Sequence, residues 1–274
     1  MNSPPPPRPP SAAASVFATL DRSLHDLRRT PLLWGLPLGL FSAMIIFVWP
    51  SIEGSAAKLI ESYPEGLKEA FGLTELDSVE SYFDVEMLSF IIPLAVAFLA
   101  VRIVARAISG AEEQRWLDTL LATPLTREAL VASVFIVTAI VVAGVLGVTF
   151  ALTMLAGLVS GTDPSAVKIG RGIANVWPLA MFFAGFATLL AGRVRGAGAV
   201  TATAAGILVG MYLLEVVGRV AGSLDWLRWF SAFREYGSAV NDGIDPLSFA
   251  GLTLAGVALA AIGALLFRTR DIAG

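Results

Sequence analysis

The residues that best combine charge, capping ability and an apolar face lie in one segment, residues 109–128 (SGAEEQRWLDTLLATPLTRE). Ser109 and Glu112 have the spacing of a capping box, in which each side chain accepts a hydrogen bond from the other residue's exposed backbone amide. Glu112 and Glu113 would lie in the first helical turn, where the helix dipole favours anions. The pattern predicts a helix over residues 109–123, and the chemistry it suits is binding rather than catalysis.

The same predicted helix carries an apolar stripe at helical spacing, formed by Trp116, Leu117, Leu120 and Leu121. Thr123 before Pro124 ends this helix and can cap the next one, because proline suits a first helical turn. An apolar stripe rimmed by charges is typical of a helix that docks into a groove of a partner protein. It would also suit a helix that lies on lipid, although two adjacent acids would then face an anionic leaflet. The residues alone leave both interpretations open.

The sequence motifs of common enzymes are not found in this chain. It has no Cys and a single histidine, His25, which helical periodicity places on the polar side of an N-terminal helix. The zinc-protease motif H-E-x-x-H, the nucleophile elbow G-x-S-x-G and the phosphate-binding G-x-x-x-x-G-K-[ST] are also absent from the sequence. We therefore expect no catalytic residue, metal ion or bound cofactor in this chain, and no enzyme activity of its own.

The segment at residues 109–128 lies between long apolar runs that predict membrane-spanning helices. Of the 274 residues, 56% are hydrophobic and 15% are charged, whereas a soluble domain carries about a quarter charged residues. A spanning helix needs ~20 mostly apolar residues. The sequence predicts an all-α polytopic membrane protein, with a proline-rich tail at residues 1–11 and a single transmembrane domain at 12–274. Its six predicted spans cover about 32–49, 85–105, 128–160, 172–192, 196–216 and 246–267.

The third apolar run is too long for one perpendicular span and short for a hairpin. We predict one long, tilted helix, because two crossings would move Arg193 and Arg195 to the opposite side from Arg28 and Arg29. With the N-terminus inside, 12 of the 19 basic residues are cytoplasmic, as the positive-inside rule favours. Both termini and the segment at 109–123 are then predicted to face the cytoplasm.

Three further features have two interpretations each. The aromatic-rich stretch DWLRWFSAFREY, before the sixth span, is predicted to lie at or dip into the outer surface, either as an anchor or as a gate for cargo. Glu215 and Arg219 can pair at i,i+4 or snorkel to the surface. Gly206 and Gly210 suit close helix contact, either at a dimer seam or within the bundle.

The remaining predicted segments lie along the membrane surface. Residues 16–29 form a basic amphipathic helix whose partner is membrane lipid. An outer loop at 51–84 is predicted to contain one or two short surface helices.

The run GAEEQRWLDTLLATPLTR resembles a segment of ABC-2 type permeases, roughly G-E-E-x-x-G-T-L-[DE]-x-L-L-x-x-P-[VL]-[ST]-R. The positions that match in register are Gly110, Glu112, Glu113, Leu117, Asp118, Leu120, Leu121, Pro124, Thr126 and Arg127. Arg115 and Trp116 stand where the family usually has Gly-Thr. The N-terminal amphipathic helix resembles the family's elbow helix. The similarity extends along the chain. It includes the ending FRTRDI, the stretch YPEGLKEAFG and the stretch WFSAFREYGSAVNDG, in which Ala232 replaces the usual proline.

The resemblance implies a function and a set of partners. The segment at 109–123 would be the coupling helix, which docks a separate nucleotide-binding ATPase subunit through Ser109, Glu112, Glu113, Trp116, Leu117, Leu120, Leu121 and Arg127. That subunit would bind ATP and Mg²⁺, and a second permease subunit, identical or paralogous, would complete an exporter of amphipathic or lipid-like cargo in a bacterial inner membrane. No nucleic-acid partner is expected. Two other classes are a non-transporting membrane scaffold or sensor and a membrane-embedded lipid enzyme, and the missing catalytic motifs count against the enzyme.

Overall fold

The computed structural model describes residues 24–61, 78–110 and 127–268, and the regular structure within these ranges is helical. Six of its helices are long and apolar enough to cross a membrane, which confirms the predicted fold class. They are α1 (Thr30–Glu61), α2 (Val79–Gly110), α3 (Arg127–Ser160), α4 (Ala166–Ala191), α5 (Ala197–Val220) and α6 (Pro246–Arg268).

The prediction of one long helix for the third apolar run is confirmed, because α3 is continuous over 34 residues. The predicted outer loop at 51–84 is too long at both ends: α1 continues to Glu61 and α2 already begins at Val79. The early start of α2 has a local cause. The Ser78 side chain caps the helix by accepting a hydrogen bond of 3.3 Å from the Ser81 amide. Glu80 and Asp84 therefore lie inside a spanning helix.

Helix α2 is irregular at two places. Residues Asp84–Ile91 and Arg106–Gly110 are π-helical, and Ile92–Ala105 between them is α-helical. Pro93 explains the first π-helical stretch, because proline has no amide hydrogen and its ring clashes with the carbonyl four residues earlier. Just before it, the Ile92 amide donates to the Met87 carbonyl, five residues back.

Helix α4 is the centre of the bundle and packs against α2, α3, α5 and α6, whereas α1 lies against α3. Glycines allow the closest approaches. A β-carbon added to Gly35 of α1 would lie 2.7 Å from Cβ of Val148 on α3. Large apolar side chains on the outside of α1, α5 and α6 are exposed, as expected of helices that face lipid or another subunit.

The helices alternate in direction, so the bundle has two ends. The coupling end, as we call it, holds Gly110, where α2 stops, and Arg127, where α3 starts. The connector end is the opposite one and holds the connector, residues 221–245, between α5 and α6. The connector contains two 3₁₀ helices, Gly222–Phe230 and Ala232–Arg234.

Candidate functional site

The predicted coupling helix falls largely outside the described residues. Glu112, Glu113, Trp116, Leu117, Leu120 and Leu121 lie in that part, and their roles stay predictions. Arg127 begins α3. The placement of Ser109 differs from the prediction. It lies in the π-helical turn that ends α2, fully buried, and its hydroxyl has no hydrogen-bond partner among the described residues. Ser109 therefore lies in the last turn of the second span, and the predicted capping contact with Glu112 falls outside the described residues.

The two described ends of this segment are held by different parts of the bundle. A β-carbon on Gly110 would lie 3.6 Å from the Ala197 side chain, so the end of α2 lies beside the start of α5. At the start of α3, the Glu128 carboxylate lies 3.5 Å from the Arg268 guanidinium at the end of α6. The chain between Gly110 and Arg127 thus joins two neighbouring helices at the coupling end, where a force on it would act on both.

The connector penetrates the opposite end of the bundle. The Asn175 side-chain amide of α4 donates a hydrogen bond of 2.6 Å to the Tyr236 carbonyl, and the Ser231 hydroxyl donates one of 2.7 Å to the Met211 carbonyl of α5. Asn175 and Met211 are each nine residues from their helix ends, about 13 Å at 1.5 Å per residue. The aromatic-rich stretch thus enters the bundle, and its predicted position at the outer membrane surface stays a prediction.

Aromatic and polar contacts fix the deepest part of the connector. The Phe233 ring lies 5.4 Å from the Tyr212 ring of α5 and 6.2 Å from the Phe183 ring of α4, centroid to centroid. The Arg171 guanidinium of α4 donates to the carbonyls of Val240 and Asn241. By contrast, Trp226, Trp229 and Phe230 in the first 3₁₀ helix are more than half exposed, so this part suits a membrane interface.

Glu215 is the best-paired buried acid at the connector end. Its side chain is 4% exposed, and its Oε1 atom accepts hydrogen bonds from Nε of Arg219 at 2.7 Å and Nε of Arg228 at 3.1 Å. The predicted pairing with Arg219 is confirmed, whereas snorkelling of Glu215 is wrong. The contact with Arg228 was not predicted, because Arg228 lies 13 residues from Glu215 and meets it only through the fold of the connector.

Two acids near the start of α2 hold neighbouring segments. Glu80 accepts a hydrogen bond of 2.7 Å from the Ser165 amide at the start of α4, and Asp84 accepts one of 2.5 Å from the Ser238 hydroxyl of the connector. Between them, the Ser81 hydroxyl donates to the Asn241 side chain at 3.2 Å. Both acids were predicted to lie in the outer loop at 51–84. The capping serine at 78, followed by an acid in the first turn, was the signal that would have placed them in α2.

The six-helix chain matches one protein-family model over most of its length. The model of the C-terminal domain of the multidrug efflux system permease Rv1217c matches residues 24–268. The chain belongs to this efflux permease family. None of the curated proteins matches it.

The connector end of this family member encloses a cavity of about 90 Å³, lined by parts of α2, α5 and the connector. Small-molecule sites have volumes of about 300–1,000 Å³, so a drug-sized cargo does not fit here. Among the described residues of the permease, no group of three or more His, Cys, Asp or Glu side chains is placed to hold a metal ion. The cavity is small, and its wall combines apolar and aromatic side chains with two acids, Asp84 and Glu215.

Proposed function

We propose that this chain is the membrane subunit of an ATP-driven exporter of the ABC-2 type and that a separate ATPase subunit binds at residues 109–123. The observation that carries the proposal is the sequence of that segment, set between the ends of two adjacent spans in a six-helix efflux-family permease. An amphipathic helix at this position would connect the bound ATPase subunit directly to two spanning helices of the bundle. The partner ATPase binds ATP and Mg²⁺.

The coupling step follows from how the segment is attached. It continues directly into α2 at Gly110 and into α3 at Arg127, so displacement of the segment moves both helices. The exposed Glu128–Arg268 pair extends the attachment weakly to α6, because an exposed ion pair contributes about 0–1 kcal/mol. The bundle then rocks as a packed unit, and the pathway opens alternately to the two sides.

A second permease subunit, identical or paralogous, forms the other wall of the pathway. Two observations support this. The cavity lined by α2, α5 and the connector is too small for a drug-sized cargo, and the larger space of about 490 Å³ beside Arg219 and Arg228 is an open surface groove, which favours a pathway bounded by a second subunit. Gly206 and Gly210 of α5 meet nothing within 4 Å of an added β-carbon, so their close-contact spacing is not used inside the bundle. A face of α5 with this spacing and no neighbouring helix among the described residues is suited to pack against a second permease subunit.

The orientation and cargo belong to the same proposal. The positive-inside rule supports a cytoplasmic coupling end and cytoplasmic termini. The resemblance to ABC-2 type permeases and the composition rich in Ala, Gly and Arg support a bacterial plasma membrane as the location. The family name supports efflux as the direction. The exposed apolar surfaces of α1, α5 and α6 suit an amphipathic or lipid-like cargo that enters from the membrane, because such a cargo need not leave hydrocarbon to reach the pathway.

The test is co-purification with a candidate ATPase subunit, such as one found in a neighbouring gene, together with the rate of ATP hydrolysis by that subunit in nanodiscs. Leu117→Glu combined with Leu120→Glu places two charges on the docking stripe. Each buried leucine contributes about 1.5–3 kcal/mol, so binding weakens by about 100-fold or more and stimulation is lost. Ala122→Glu, on the face of the predicted helix opposite the leucine stripe, is the matched control and leaves both intact. Unchanged binding in the double variant would refute docking through this segment. Binding and stimulation without cargo movement would favour the scaffold class.

A further inference from the structure

Asp84 is a buried acid that the proposed transport cycle does not use. It lies in the π-helical stretch of α2 and is 9% exposed. Its Oδ2 atom accepts the Ser238 hydroxyl hydrogen bond at 2.5 Å, and its other carboxylate oxygen accepts no hydrogen bond from a described residue. Within the described ranges it forms no ion pair. An acid buried in this way is costly unless a positive group or further donors reach it.

The charges around Asp84 are unevenly shared. Arg219 lines the same cavity, but its Nε atom is used by Glu215, and Arg228 is divided between Glu215 and Asp225. Glu215 thus has two cations and Asp84 has none in contact. The second carboxylate oxygen of Glu215 is also buried without a partner in the described structure. The lining of the cavity thus holds two carboxylates, Asp84 and Glu215, and one guanidinium, Arg219, so its net charge is negative and Asp84 is the acid without a cation in contact.

The rest of the wall is suited to a cation. The aromatic residues Tyr212, Phe233 and Tyr236 line the cavity, and aromatic ring faces attract cations. Ser89 and Gly237, at its rim, are exposed, which leaves a way in. The volume of about 90 Å³ holds an ammonium group with a short alkyl stem but no large ring system.

We propose that this cavity binds a primary ammonium group, with the free carboxylate oxygen of Asp84 as its main acceptor and the aromatic rings as its walls. The ammonium group supplies both the missing charge and the missing hydrogen-bond donors. Two sources carry this group: a free amine, and the ethanolamine headgroup of a membrane lipid. The site lies in one permease chain and needs neither ATP nor the ATPase, so it stands or falls independently of the proposed transport function.

The experiment is calorimetric titration of the full-length chain in phosphatidylcholine nanodiscs at about pH 7, where n-propylamine is protonated. We expect saturable binding of propylammonium and none of propanol, which has the same length without the charge. Asp84→Asn removes the charge-assisted hydrogen bond and weakens binding about tenfold or more. Glu86→Gln is the matched control, because Glu86 lies on the same helix but is exposed, and it leaves the affinity unchanged.

Three results would overturn the proposal: no saturable binding to the wild type, equal binding of propanol, or equal binding by Asp84→Asn. If Asp84→Asn does not fold, Ser238→Ala decides instead. It frees the second Asp84 oxygen and raises the affinity about threefold or more if the ammonium group contacts this carboxylate, and an unchanged affinity rejects the site. Nanodiscs that contain phosphatidylethanolamine identify the source. Competition with propylammonium indicates the lipid headgroup, and its absence indicates a free amine.

Discussion

Gly185 of α4 and Gly256 of α6 pack backbone against backbone at the centre of the bundle. A β-carbon added to Gly185 would lie 2.8 Å from Cα of Gly256, and one added to Gly256 would lie 2.5 Å from the Met181 carbonyl oxygen. About two α-helical turns further along α6, Gly263 makes the same kind of contact with Thr188: a β-carbon added to Gly263 would lie 2.6 Å from the Thr188 carbonyl oxygen. In a membrane, where hydrophobic burial does not drive helices together, close backbone packing of this type holds them in place.

Gly256→Ala is therefore expected to destabilise the protein by about 1–3 kcal/mol, because the added methyl group must push two backbones apart. Thermal unfolding of the purified chain in detergent measures the effect. Gly251→Ala on the same helix is the control, since an added β-carbon there meets nothing within 4 Å. Equal unfolding temperatures for the two variants would show that the seam between α4 and α6 is not tightly packed.

The connector is expected to loosen when its hydrogen bond from α4 is removed. Asn175→Ala leaves the buried Tyr236 carbonyl without its donor, at a cost of about 1–3 kcal/mol. Hydrogen exchange at residues 231–242 should accelerate while exchange in α3 stays unchanged. Thr253→Val is the control, because the Thr253 hydroxyl donates only to the Phe249 carbonyl of its own helix. Unchanged exchange in Asn175→Ala would mean that this hydrogen bond does not hold the connector.

The two arginines on Glu215 are expected to act non-additively. Arg219→Ala or Arg228→Ala alone leaves the buried carboxylate one cation, whereas the double variant leaves it with none, which costs about 3–5 kcal/mol. A double-mutant cycle on unfolding free energies should give a coupling of about 0.5–3 kcal/mol. Asp225→Ala, which removes only a surface partner of Arg228, serves as the control. Strictly additive losses would argue against a shared carboxylate.

Asp245 caps α6, and its contribution depends on pH. Its carboxylate accepts hydrogen bonds from the Ser248 hydroxyl and from the amides of Leu247 and Ser248, which lower the pKa of Asp245 below its ordinary 3.8. A lowered pKa means that the stabilisation is present above 3.8 and is lost as the pH falls through the folded-state value. Asp245→Ala should therefore lower the unfolding temperature at neutral pH but not at a pH well below 3.8. A difference that persists in acid would contradict the ionised cap.

The number of spans and the continuity of α3 could be predicted from the sequence because both depend on local apolar length and on the distribution of arginines. The pairing of Glu215 with Arg219 could also be predicted, because the two residues are one helical turn apart on the same helix. The positions of Glu80 and Asp84 were not predictable from hydropathy, because an acid at the edge of an apolar run is normally assigned to a loop. Their burial depends on the Ser165 amide and the Ser238 hydroxyl, which are distant in sequence.

In the connector, too, contacts between residues that are distant in sequence could not be predicted. Its aromatic content predicted contact with the membrane interface, but not which residues enter the bundle. Phe233 and Tyr236 are buried, whereas Trp226 and Trp229 are exposed, and composition alone does not separate the two pairs. The difference comes from Asn175 and Arg171 on α4, which fix the backbone of the second half of the connector.

The most direct test of the proposed function asks which side of the membrane the coupling segment faces. The chain has no cysteine, so Glu113→Cys introduces a single thiol, and Asp225→Cys places a matched thiol at the exposed connector end. A membrane-impermeant maleimide is applied to intact cells and, separately, to permeabilised ones. The ATPase-docking proposal predicts that Asp225→Cys is labelled in intact cells and Glu113→Cys only after permeabilisation. Labelling of Glu113→Cys in intact cells would contradict it, because no cytoplasmic ATPase would then reach the segment.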